Sequence, residues 1–120
     1  MSRQERPMRI LHVVEAMATG VGRHVLDLSE GARRAGHTPA VIYSPLREDN
    51  LCRAGRARLI GVDFHSVPMR RAPGLWDIPA TLQVRRLVAE TGPYDIIHGH
   101  SSKGGMLARL ASIGIDSAVC

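Results

Sequence analysis

The stretch MRILHVVEAMATGVGRHVLDLSEGARRAGHTPAVIY, Met8–Tyr43, decides the fold. Its opening run, Met8–Val14, is apolar and rich in β-branched residues and gives way to small residues, as a strand buried on both faces does. From Val21 the period changes. Val21, Val25, Leu28, Ala32 and Ala35 recur at helical spacing, while Arg23, Asp27, Glu30, Arg33 and Arg34 take the other face. Gly36 suits the left-handed residue that ends a helix, and Thr38–Tyr43 returns to strand character. A strand, a helix and a strand in close succession make a parallel pair joined by a crossover helix.

The same alternation continues outward. Pro45 and the charged Arg47–Asn50 mark a loop before a short basic helix around Leu51–Ile60, and Asp63–Val67 reads as strand three. After the loop Met69–Leu75, a helix is predicted over Trp76–Glu90, burying Ala80, Val84, Leu87 and Val88 and stopped by Gly92-Pro93. Asp95–His98 predicts strand four. Ser101 and Ser102 can cap a helix carrying Leu107, Leu110, Ala111 and Ile113, and Ser117–Cys120 opens strand five. This pattern predicts an α/β class and a Rossmann-like parallel sheet of order 3-2-1-4, strand five beyond and helices on both faces. Residues 1–7, polar and basic, read as a disordered tail before one domain over 8–120, with neither a signal peptide nor a membrane span. A doubly wound sheet normally continues past a fifth strand, so the domain is expected to be incomplete.

Composition narrows the partners. A chain of 120 residues, 44% apolar and 22% charged, fits one soluble domain. Its net charge of +5 favours an anionic partner. Nucleic acid is disfavoured, because the aromatic–basic interleaving of a single-strand platform and the spacing of a zinc finger are both missing. Cys52 and Cys120 are far apart and lack CxxC or Cys/His spacing, which implies free thiols in a reducing cytosol and no metal site. Arg47, Arg53, Arg56, Arg58, Arg70 and Arg71 form a basic segment that suits either a solvated face or peripheral contact with the inner membrane surface.

In an open parallel sheet, ligands bind beyond the carboxyl ends of the strands where strand order reverses, here between strands one and four. The loop Glu15–Gly22 carries Gly20 and Gly22 where the chain enters the first helix, whose free N–H groups favour an anion by ~0.3–1 kcal/mol. These glycines serve either close approach of a ligand or a tight turn. Val25 stands in place of a third dinucleotide glycine and strand two ends in Tyr43-Ser44, so NAD is disfavoured, and the Walker A pattern is absent. The loop His98–Gly105 crowds His98, His100, Ser101, Ser102 and Lys103 around another helix start, an oxyanion-binding constellation with His100 its leading candidate.

Gly20-Val21-Gly22-Arg23-His24-Val25, Gly36-His37 and Asp95–His100, in that order, resemble the N-terminal, acceptor-side domain of family 4 glycosyltransferases of the GT-B type. YSPLRED and HSSKGG look like the subgroup acting in exopolysaccharide or capsule assembly. Thr19 departs from the pattern, standing where the family has its first glycine. The resemblance implies transfer of a sugar, with retention, from a nucleotide-sugar donor to a glycan or lipid-linked acceptor, with no metal or cofactor. It implies that His100 contacts the donor sugar, and that Thr19, Gly20, Gly22, Ser101, Ser102, Lys103 and Gly104 surround the donor diphosphate or the acceptor. The family's donor-binding Glu-x-x-x-x-x-x-x-Glu segment belongs to a C-terminal domain absent from these residues, so this chain alone is expected to be inactive. The alternative is a stand-alone Rossmann-like module that binds a phosphorylated ligand or a protein without catalysis. An incomplete sheet would also leave an edge for self-association.

Overall fold

The computed structural model describes residues 6–115 and 117–120. Most of the expected tail, residues 1–5, lies outside the described residues; Arg6 is placed by an ion pair to Asp95 at 3.1 Å. Among the described residues there are five parallel strands: β1 (Arg9–Val14), β2 (Thr38–Tyr43), β3 (Asp63–Ser66), β4 (Ile96–His100) and β5 (Ala118–Val119). Their order is β3-β2-β1-β4-β5, the reversal expected from the strand–helix alternation. The helices are α1 (Thr19–Arg34), α2 (Asn50–Arg58), α3 (Asp77–Thr91) and α4 (Ser101–Ala111).

Each face of the sheet has its own core. On one, Leu11, Val13, Ala40, Ile42 and Ile97 meet Ala80, Val84 and Val88 of α3 and Leu107, Ala108 and Ala111 of α4. On the other, Val14, Val41 and Tyr43 meet Val25 and Leu26 of α1 and Cys52 of α2. Each fully buried aliphatic side chain here contributes about 1.5–3 kcal/mol.

Three local expectations differ from the structure. The buried stripe of α1 is Gly22, Val25, Leu26 and Ser29, and Val21 lies on the exposed side. Gly22 sets that phase by allowing contact no side chain could: a Cβ there would stand 2.5 Å from Cys52 Sγ and 2.9 Å from the Met17 carbonyl carbon. In the last helix Leu107 and Ala111 are buried, but Leu110 and Ile113 are exposed. Finally, β4 extends to His100 rather than stopping at His98, because it keeps parallel register with β1 up to the pair Val14–His100.

The joints between elements use polar residues of the recognised motifs. Gly36 takes φ +92° after α1, its N–H donating to Arg33 O and that of His37 to Ala32 O, a paired C-terminal closure. His37 Nδ1 then accepts from the Met8 N–H at 3.0 Å, anchoring the start of β1. Asp95 performs the same task for β4, accepting from the Arg9 N–H at 2.8 Å.

Candidate functional site at the carboxyl edge of the sheet

Loops after β1, β2, β3 and β4 converge beyond the strand ends. Between them lies a cavity of about 420 Å³ lined by Glu15, Ala16, Arg47, Arg71, Ser101, Ser102 and Lys103. Ser44, at the end of β2, holds the far wall: its hydroxyl donates to Met69 O at 2.8 Å and accepts from the Met69 N–H at 3.0 Å. That clamp fixes the root of the loop carrying Arg70 and Arg71. Glu15 has a buried side chain, 5% exposed, 3.5 Å from the Arg47 guanidinium, yet its Oε2 makes no hydrogen bond.

The two helix starts facing this edge share a backbone feature. Thr19 and Ser101, the first residues of α1 and α4, have φ of +51° and +62°, the left-handed region that side chains other than glycine rarely occupy. Such conformations cost on the order of 1–3 kcal/mol and cluster at binding sites. At Thr19 the strain explains why a glycine belongs there, and the β-branched side chain makes it worse.

The candidate residues divide by what surrounds them. Gly20 faces open space, with no atom within 4 Å of a Cβ built on it. Gly22 and Gly104 are required for packing instead. A Cβ on Gly104 would meet Val13 O at 2.5 Å, so that glycine seats α4 directly on β1. Ser101 and Ser102 are exposed at the cavity. Lys103 lines its wall, but its ammonium is engaged, donating to Asp77 Oδ1 at 2.5 Å and Ala72 O at 3.2 Å. Asp49, before α2, accepts from the Thr19 N–H at 2.9 Å and from the Cys52 N–H at 2.8 Å. These hydrogen bonds hold its carboxyl below the usual range, and its charge already occupies the first amide of α1. Thr19 and Gly20 line a second cavity, of about 820 Å³, beside Asp49 and Arg58.

His100 lines neither of these cavities; it ends β4 on the α1 side of the sheet, 8% exposed. His12 and His98 pair in register on that same face, and His100 follows two residues on. His12 Nδ1 and His100 Nε2 are hydrogen-bonded at 2.9 Å, the His98 and His100 rings lie 4.1 Å apart, and His24 of α1 meets His100 edge-on at 6.2 Å. Burial, and then the neighbouring imidazoles, lower His12 to about 3 and His100 to about 4. Both rings are therefore neutral at pH 7, one nitrogen donating and the other accepting. One nitrogen from each of His12, His98 and His100 lies within 4.8 Å of the others, a ligand type that suits zinc. Sequence spacing gave no sign of this cluster, because His12 belongs to an apolar strand remote from His100 along the chain.

The basic segment is largely paired. Arg53 and Arg56 both bond the buried Glu48 carboxylate, Arg47 faces Glu15, and Arg70 stacks over Trp76 at 5.4 Å. No helix among the described residues is long and apolar enough to cross a membrane.

A five-stranded parallel sheet of this order, with helices on both faces, defines a Rossmann-like α/β domain. The chain belongs to the glycosyl transferase 4-like domain family, whose model matches residues 19–119. No curated protein matches it in sequence. Among solved structures it is similar to a glycosyltransferase from Rickettsia africae, with 17% identity and TM-score 0.74 over 96% of this chain and 29% of that one. It is also similar to MurG of Acinetobacter baumannii, with 12% identity and TM-score 0.69 over 94% of this chain and 34% of that one. The chain thus spans about a third of the length of these two structures. The C-terminal domain of a hydrogenase from Pyrococcus furiosus aligns along 100% of this chain and 95% of its own, with 10% identity and TM-score 0.62.

Proposed function

We propose that this chain is the acceptor-side part of a retaining glycosyltransferase that moves a sugar from a nucleotide-sugar donor to a glycan or lipid-linked acceptor. The observation that carries the reading is the placement of His100: a buried, neutral imidazole at the end of β4, beside the α4 start, where strand order reverses. A neutral ring there can hydrogen-bond a donor-sugar hydroxyl without adding charge. The amides at the start of α4 stabilise negative charge as the nucleoside diphosphate departs. Gly20 leaves room for the diphosphate. Thr19, Gly22, Lys103 and Gly104 shape the site, the first through its turn and the others through packing and the Asp77 pair. The reaction needs no metal in this reading, so EDTA leaves transfer unchanged.

A second, donor-reading domain completes the cleft. Transfer from labelled nucleotide sugars is measured with the 120-residue chain and with a longer product that joins it to that domain. Turnover by the longer product alone is expected. Turnover by the 120-residue chain overturns the division of labour, and no turnover by either overturns the transferase reading.

A further inference from the structure

We infer that the cavity at the carboxyl edge takes an acidic sugar as acceptor, its hydroxyl donating to Glu15 and its anionic group resting on Arg71 and Arg47. The inference rests on the transferase reading and specifies its acceptor. Three observations carry it. At about 420 Å³, the cavity matches one sugar ring with a substituent. Glu15 lines it with a side chain only 5% exposed, whose Oε2 lies 3.5 Å from Arg47 Nε without a hydrogen bond. A buried carboxylate oxygen held only by a long ion pair lacks a hydrogen bond, and a sugar hydroxyl can donate one to the Glu15 carboxylate. Arg47 and Arg71 both line the cavity against that single carboxylate, which leaves one positive charge for a further anion. Arg47 is committed in part to Glu15, and Arg71, on the loop rooted by Ser44, is the main anchor. A guanidinium takes a phosphate or a carboxylate through paired N–H donors. Ser101 and Ser102 complete the polar wall with hydroxyls that bond a sugar from the α4 side.

The test is a titration of the 120-residue chain, followed by amide NMR, with glucose 1-phosphate, glucuronic acid, glucose, inorganic phosphate and UDP. At least one acidic sugar binds about tenfold or more tighter than glucose and shifts the Ser101 and Ser102 amides. Whichever of the two binds tighter identifies the anion as phosphate or carboxylate. Arg71→Gln, a change at an exposed residue, loses about tenfold for that ligand. Glu15→Gln weakens it several-fold while leaving inorganic phosphate unchanged. Equal binding of glucose, an Arg71→Gln chain that binds as wild type, or displacement of the acidic sugar by UDP overturns the assignment. Displacement by UDP would give the cavity to the donor and leave the transferase reading standing. Failure of that reading shows separately, as a longer product that transfers nothing whatever the cavity binds.

Discussion

Replacing Lys103 with methionine should destabilise the fold, because its ammonium serves the protein before any ligand. The Lys103 and Asp77 side chains are only 6% and 15% exposed, and the ion pair joins α4 to the first turn of α3. Removing one partner of a buried pair costs about 3–5 kcal/mol, mostly for the charge left behind. Asp77 retains some solvent and the Gly74 N–H at 3.2 Å, so a smaller cost, about 2–3 kcal/mol, is the expectation. That is a large share of the roughly 5–15 kcal/mol that stabilises a domain. Urea unfolding of wild type, Lys103→Met, Asp77→Asn and the double variant measures the coupling, expected near 2 kcal/mol. A single Lys103→Met variant within about 0.5 kcal/mol of wild type, with no coupling to Asp77, would refute the reasoning.

Three further outcomes follow from the same geometry. Thr19→Gly relieves a left-handed, β-branched residue and should stabilise by about 0.5–1 kcal/mol after the entropy cost of glycine, read as a raised urea midpoint. Gly104→Ala should cost about 2 kcal/mol or more, since its Cβ would meet backbone Val13 O, whereas Gly20→Ala should unfold at nearly the wild-type midpoint. His12 and His100 stay neutral in the fold down to about 3 and about 4 but titrate near 6.5 when unfolded. The unfolded chain therefore binds more protons below pH 6.5, and stability falls as pH drops toward 4, by about 1–2 kcal/mol per unit for the pair after allowing for solvent access. Denaturation curves from pH 7.5 to 4.5 should show this slope, and His12→Gln should reduce it.

The strand order was legible because apolar runs alternating with helical periods admit few right-handed parallel arrangements. The phase of α1 was not, because Gly22 has no apolar side chain to register in a hydrophobic pattern, although its lack of one brings α1 against Met17 and Cys52. At the site, His100 and the Ser101–Gly105 loop stood out as donors grouped at a helix start. His12 did not, since a histidine within an apolar strand reads as core and its partner lies 88 positions away. Glu15 was similarly hidden: only the fold shows that its carboxylate is buried against Arg47 and lines a cavity. Gly36-His37 and Asp95 read as family signatures, and their contacts give them a physical meaning as the joints that set β1 and β4 side by side.

The central claim is that this sheet edge serves glycosyl transfer through His100. Its most direct test is the kcat/KM for sugar transfer from a nucleotide-sugar donor by a protein that joins this chain to the proposed donor-reading domain, wild type against His100→Asn, with thermal melts confirming that both are folded. The account predicts a loss on the order of 100-fold or more in the variant, comparable to removal of one transition-state hydrogen bond. A folded His100→Asn enzyme that transfers sugar at the wild-type rate would contradict it.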